Sequence, residues 1–194
     1  MLIFWKARLV VLSVPKTGTT SLEAAFGPYA DAVIRHPTGL KHMNVRRWHA
    51  QLAPLFEQRG KRPLRTMAVM REPVDWLGSW WRYRSREALD GSENSTAGIS
   101  FDDFVDAYMQ EEPPRFAAIG SQARFLDGGV DHLFPFGRLN DAITFLSTET
   151  GATPTVERLN TSPTAEIRLS PERRARLEKV FAADFDLWRG LTSR

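Results

Sequence analysis

The sequence predicts an α/β fold, with a mainly parallel sheet flanked by helices in three layers. Three observations predict it. The apolar run Leu9-Val10-Val11-Leu12-Ser13-Val14 reads as a buried strand, and Leu22, Ala25 and Phe26 follow at helical spacing. A second apolar run, Leu64 to Met70, leads into another helix, which opens at Pro73. Val130 to Phe136 reads as a later strand, and a helix from Leu139 to Leu146 follows it and ends near Gly151. Strands alternating with helices indicate parallel pairing, because each helix carries the chain back to the same end of the sheet.

The remaining elements follow in order. Thr20 and Glu23 fit a capping box at the start of the first helix. Asp31 to Arg35 is a candidate short strand. Val45, Trp48, Leu52, Leu55 and Phe56 fall near the helical period, so a helix is expected over 45–56. Pro73 biases Glu72 away from helix and suits the first helical position, with Asp75 favourably placed in the first turn. That helix runs to about Ala88 and carries Trp76, Trp80 and Tyr83 as a stripe. Core packing is its expected role, and adenine stacking is the alternative.

The polar segment 90–98 contains Gly91 and Gly98 and is expected to be a flexible loop. It reads as plain surface in preference to a lid. Ser100 caps a helix with Asp103 at the box position, Pro113-Pro114 ends it, and a short helix is expected within 117–126. Ser170-Pro171-Glu172 starts a last helix, with Leu177, Val180, Phe181, Phe185 and Trp188 on its inner face.

The 194 residues are 42% hydrophobic and 25% charged, which fits one globular domain with a real core. The net charge of +3 is mildly basic, and no Lys/Arg block of the kind found in nucleic-acid-binding tails occurs. Arg173-Arg174-Ala175-Arg176 reads as the solvated face of a helix. Cysteine is absent, so disulfides, thiolate metal sites and a Cys nucleophile are excluded. Met1 to Arg8 is too soon interrupted by charge for a signal peptide, and no apolar stretch approaches the roughly eighteen residues of a membrane span. A cytoplasmic location without nucleic-acid partners is the expectation.

The chemistry centres on Val14-Pro15-Lys16-Thr17-Gly18-Thr19-Thr20-Ser21, between the first apolar run and its helix. A strand, a tight glycine loop and a helix N-terminus aim backbone N–H groups and the positive end of a helix dipole at one spot. That is a P-loop-like anion site. Lys16 adds a cation, and Thr17, Thr19, Thr20 and Ser21 add hydroxyls. The lysine precedes the glycine, so the loop does not have the Walker order of a glycine, four residues and then Gly-Lys. Further along, Arg71 ends the second apolar run, and Ser79 lies eight residues on, two turns into the next helix. A guanidinium fork with a nearby hydroxyl suits a phosphate.

Pro-Lys-Thr-Gly-Thr-Thr, followed in order by the Arg71–Ser79 element, resembles sulfotransferases that use 3′-phosphoadenosine 5′-phosphosulfate (PAPS). Leu133–Leu139, Leu159-Asn160-Thr161-Ser162 and the last helix with Phe185 and Trp188 are weaker echoes of that family. The resemblance implies sulfuryl transfer to a small-molecule or carbohydrate acceptor, without a metal. Lys16 would stabilise the departing phosphate. The N–H groups of Thr17 to Thr20 would hold the 5′-phosphosulfate, and Arg71 and Ser79 the 3′-phosphate. Leu40-Lys41-His42 is similar to the family's Lys-x-His element, which implies His42 as the base, although the intervening residue is missing. His36 and Glu23 stay as alternatives, while His49 and His132 have no motif around them. The family's late Arg-Lys-Gly loop is absent, and no spacing supports Arg158 or Arg168 in its place. A kinase of a small metabolite and a non-catalytic nucleotide- or anion-binding module are the competing readings.

Overall fold

The computed structural model describes residues 1–57, 62–155 and 167–193. In chain order the elements are β1 (Leu2–Phe4), β2 (Leu9–Val11), α1 (Thr19–Phe26), β3 (Ala32–Val33), α2 (Thr38–Lys41), α3 (Val45–Arg47), α4 (Ala53–Glu57), β4 (Arg65–Met70), α5 (Pro73–Arg84), α6 (Phe101–Tyr108), α7 (Gln122–Leu126), β5 (His132–Pro135), α8 (Leu139–Thr150), α9 (Pro171–Val180) and α10 (Ala182–Thr192). The chain divides into two compact units, each discontinuous in sequence: residues 1–71 with 122–160, and residues 72–121 with 161–193.

The first unit holds a five-stranded sheet, ordered β3-β1-β2-β4-β5 among the described residues. The β2-β4 and β4-β5 ladders are parallel, whereas β1 runs antiparallel to both β2 and β3. The sheet is therefore mixed, within an α/β fold. The parallel pattern holds for β2, β4 and β5, and the other edge departs from it. The N-terminal residues account for the departure. Trp5 to Arg8 form a tight turn in which Arg8 takes a left-handed φ of 55°, folding Leu2–Phe4 back onto Leu9–Val11. Lys6 and Arg8 are hairpin-turn residues, and the Lys16–Ser21 loop follows the second strand rather than the first.

Side-chain alternation buries both faces of this sheet. Leu2, Phe4, Leu9, Val11, Met67 and Val69 pack with Leu22, Ala25 and Phe26 of α1 and Ala142 and Leu146 of α8. Ile3, Val10, Ala68 and Met70, on the opposite face, are buried as well. Thr66, a polar residue buried in β4, is satisfied by Asp131, whose carboxylate accepts from its amide at 2.6 Å and its hydroxyl at 2.8 Å. Burial works against the charged Asp131, but these two donors outweigh it and hold the carboxyl below its usual range. The pair fixes the start of β5 against β4.

The helix expected over 45–56 is one helical stretch with a π turn, Trp48–Leu52, between α3 and α4. Ala53 N–H donates to the Trp48 carbonyl, five residues back. Pro54 explains the wide turn, because its ring would clash with the carbonyl four residues earlier and it has no N–H to donate. Trp48 is fully buried and Leu55 is exposed, so Leu55 does not belong to the expected apolar face.

The second unit packs α5, α6, α9 and α10 around Trp76, Leu77, Phe104, Val105, Tyr108, Leu177 and Phe185. Trp76, Trp80 and Tyr83 meet edge to face at about 6 Å, and Trp76 is buried in this core, as packing required. Glu72 caps α5 by accepting from the Asp75 amide at 2.7 Å. Gly78 lets α5 approach Ile167 closely, since a Cβ there would lie 2.0 Å from its Cδ1. Ser100 caps α6 as expected, accepting from the Asp103 amide at 3.1 Å, but its hydroxyl and not its amide donates to the Asp103 carboxylate, at 2.6 Å, so the reciprocal half of the box is not made. The segment 90–98 is built of turns, and the buried Thr96 donates its hydroxyl to the Trp81 carbonyl at 2.8 Å.

The last helix is interrupted. Phe181 leaves helical geometry at φ −113° and ψ 38°, which separates α9 from α10 and leaves Val180 half exposed. Ser170 caps α9 as expected. Arg173 is more than a solvated charge, because it bonds the carboxylates of Asp102 at 2.9 Å and Asp106 at 2.8 Å. No helix among the described residues is long and apolar enough to cross a membrane.

Candidate functional site

Parallel pairing of β2 and β4 creates the site. Val11 is in register with Met67, and the Leu12 amide donates to the Met67 carbonyl at 2.8 Å. The chain leaving β2 and the chain leaving β4 therefore emerge at the same end of the sheet. Ligands bind at the carboxyl ends of strands in open sheets of this kind. Sequence separates Lys16 from Arg71 by 55 residues, yet Arg71 Nη1 donates to the Lys16 carbonyl at 3.4 Å.

The loop itself is sharply bent. Lys16 has φ 65° and Gly18 φ 78°, both left-handed. A lysine in that conformation stores strain of about 1–2 kcal/mol, and such strain clusters at functional positions. Thr17 is fully buried and its hydroxyl donates to the Val14 carbonyl at 2.8 Å. That hydroxyl closes the loop, which corrects the expectation that it faces an anion. Thr19 and Ser21 are buried and Thr20 is exposed.

The expected capping box at Thr20 and Glu23 does not form. Gly18 is the N-cap of α1 and makes no side-chain cap, and the Leu22 amide is the first to close a helical turn, onto the Gly18 carbonyl at 3.1 Å. The left-handed glycine starts the helix earlier than the box spacing requires, so Thr20 is already helical. The N–H groups of the first turn then lie outside the intrahelical ladder, as in any helix.

Gly18 is also constrained by its neighbours, since a Cβ there would meet Phe136 Cε2 at 3.1 Å and Leu139 Cδ2 at 3.3 Å. Gly18→Ala combines this crowding with a positive φ. It is expected to destabilise the protein by about 1–3 kcal/mol, lowering the thermal midpoint by several degrees in a denaturation scan.

Glu23 is diverted to ion pairing. Its carboxylate bonds Arg35 Nε at 2.9 Å and Lys41 Nζ at 2.9 Å. Burial alone would raise its pKa, but the two cations, Lys41 foremost, hold it below the ordinary carboxylate range. A carboxylate held this way is a poor base near neutral pH. The same pairs tie the segment before His42 to α1, while the fully buried Met43 anchors it on the other side.

His42 lies 2.7 Å, through Nδ1, from the Ser13 carbonyl, two residues before Pro15. A carbonyl only accepts, so Nδ1 carries the proton and Nε2 of the neutral ring has the free lone pair. Burial lowers the His42 pKa below its usual value and exceeds the opposing effect of the Ser13 hydrogen bond. The ring is therefore neutral near pH 7. His36 and His49 are exposed, and His132 packs its ring 4.4 Å from Phe145.

Gln122 and Phe136 both hold Arg71. The side-chain amide of Gln122 pairs with both of its backbone groups, at 2.9 and 2.8 Å. The Phe136 ring lies under the guanidinium, 4.6 Å from Cζ. Phe136 falls within the Leu133–Leu139 echo, but no spacing ties it or Gln122 to Arg71, and only the fold brings them here. Ser79 is buried on α5, so Arg71 and its expected partner belong to different units. Arg158 and Leu159–Ser162 lie outside the described residues. No group of three or more metal-ligating side chains occurs among the described residues.

No family model, curated protein or solved structure matches this chain.

Proposed function

We propose that the chain transfers a sulfuryl group from PAPS to a hydroxyl or amine acceptor. The observation that carries the reading is the convergence of Arg71 on the strained Lys16–Gly18 loop, with His42 bonded to Ser13 in the segment between β2 and that loop. The N–H groups from Thr17 to Thr20 hold the 5′-phosphosulfate, and Arg71 takes the 3′-phosphate. His42 Nε2 accepts the acceptor's proton as its oxygen bonds to sulfur. The bond from sulfur to the bridging oxygen breaks, its electron pair stays on the departing phosphate, and Lys16 stabilises that charge.

The product, adenosine 3′,5′-bisphosphate, tests this reading directly. At a hundredfold excess over Kd it is expected to stabilise the protein by about 2.7 kcal/mol, a rise of about 5–10 °C in thermal midpoint. AMP lacks the 3′-phosphate and should do much less. Equal shifts from the two nucleotides would remove the support for a 3′-phosphate site. A small-metabolite kinase is the second reading, favoured only by the hydroxyl of Thr17 directly after Lys16, and that hydroxyl is bound to Val14. Kinase activity would vanish in chelator, whereas sulfuryl transfer would persist.

A further inference from the structure

Gln122 is fully buried at the start of α7 and makes a reciprocal pair with one residue's backbone. Its Oε1 accepts from the Arg71 amide at 2.9 Å, and its Nε2 donates to the Arg71 carbonyl at 2.8 Å. The place is informative. Met70 is the last residue of β4 and is in register with Pro135, the last residue of β5. The odd-numbered residues of β4 face β2, as the hydrogen bond from the Arg65 amide to the Arg8 carbonyl shows, and that ladder ends at Val11 and Met67, so Arg71 lies beyond the last pair on either side of β4. A side-chain amide carries the same donor and acceptor as a peptide group, so Gln122 continues the pairing for one more residue.

That residue is the one whose side chain reaches the Lys16 loop. The guanidinium meets the Lys16 carbonyl at 3.4 Å and the face of Phe136. The φ and ψ of Arg71 contribute to that aim, because a small backbone rotation swings the end of a long side chain through a wide arc. We infer that Gln122 is a positioning residue for Arg71, fixing the direction of the guanidinium at the loop. The inference rests on the reading of Arg71 as an anion ligand.

A double-mutant cycle tests it with adenosine 3′,5′-bisphosphate as the probe. Affinity is measured calorimetrically, well below the melting temperature, for wild type, Gln122→Met, Arg71→Ala and the double variant. Misplacing a ligand arm is costly even at small displacement. Gln122→Met is expected to weaken binding about tenfold with Arg71 present and less than about twofold in the Arg71→Ala background. A purely structural role would weaken both backgrounds equally. That result, or no weakening at all, overturns the inference while leaving the sulfotransferase reading intact. Should Gln122→Met fail to fold, Gln122→Glu keeps the shape and the acceptor but loses the donor, and the same cycle is run with it. An Arg71→Ala affinity equal to wild type removes Arg71 as a ligand and the inference with it. If the wild type binds no bisphosphate, the PAPS reading fails first. The cycle is then run with inorganic sulfate, where the absence of coupling between the two residues overturns the Gln122 inference as well.

Discussion

Lys16→Ala is expected to lower the rate of sulfuryl transfer by about 10²–10³, the loss that accompanies removal of one preorganised transition-state donor. The expectation follows from where the lysine sits. It occupies a left-handed position that a glycine would fill without strain, between the strand that enters the loop and the glycine that caps α1. Strain of this kind persists where the side chain has a task. In the proposed reaction the charge that Lys16 would meet develops only as the sulfur–oxygen bond breaks, so the loss is expected in kcat more than in nucleotide affinity. Lys16→Met keeps the length of the side chain and separates charge from packing. Single-turnover rates with saturating PAPS measure the effect. Unchanged turnover in both variants would end the assignment of Lys16 to the departing phosphate.

His42→Asn is expected to lower kcat by about 10²–10⁴ and to leave bisphosphate affinity nearly unchanged. Asparagine keeps an N–H donor for the Ser13 carbonyl and removes the base. The pH profile gives a second measurement. The base must be neutral, so activity should fall as pH drops through the folded-state pKa. Burial places that pKa below the ordinary value of about 6.5. The active plateau therefore extends to lower pH than an unperturbed histidine allows. Stability shares the sign. The unfolded chain binds the proton at a higher pH than the folded one, so His42 contributes stability that is present above about 6.5 and is lost as pH falls through the folded pKa. An alcohol acceptor makes the cleanest assay, because a phenol, with a pKa near 10, gives up its proton more easily. Full activity in His42→Asn, with loss in Glu23→Gln at unchanged stability, would move the role to Glu23. The ion pairs of Glu23 with Arg35 and Lys41 argue for the opposite result, in which Glu23→Gln mainly weakens the hold on the segment preceding His42.

The alternation of strands and helices, the buried runs at β2 and β4, the caps at Ser100 and Ser170 and the Lys16–Ser21 loop were all legible from residue order. They rest on local preferences: apolar period, capping hydroxyls, proline at the first helical position and glycine at a left-handed turn. The break at Phe181, the π turn before Pro54 and the strand Leu2–Phe4 were not. The π turn answers to Pro54, a local cause that the apolar spacing does not encode, whereas the break at Phe181 and the pairing of Leu2–Phe4 depend on which of two locally acceptable conformations packs better. The case of Glu23 is similar. By spacing it is a cap, but Arg35 and Lys41 offer two opposite charges in place of one amide, and Gly18 had already started the helix.

What the sequence by itself determined is the chemistry that this chain carries: a lysine and a glycine in a loop between strand and helix, an arginine at a strand end and a histidine between them in order. Only the tertiary structure decided which of these meet. Parallel pairing of β2 with β4 puts Lys16 and Arg71 at the same end of the sheet, and the Ser13 carbonyl chooses the His42 nitrogen that holds the proton. Gln122 and Phe136 enter only there, because a backbone clamp and an aromatic support are defined by distance in space and leave no period, spacing or motif in the chain.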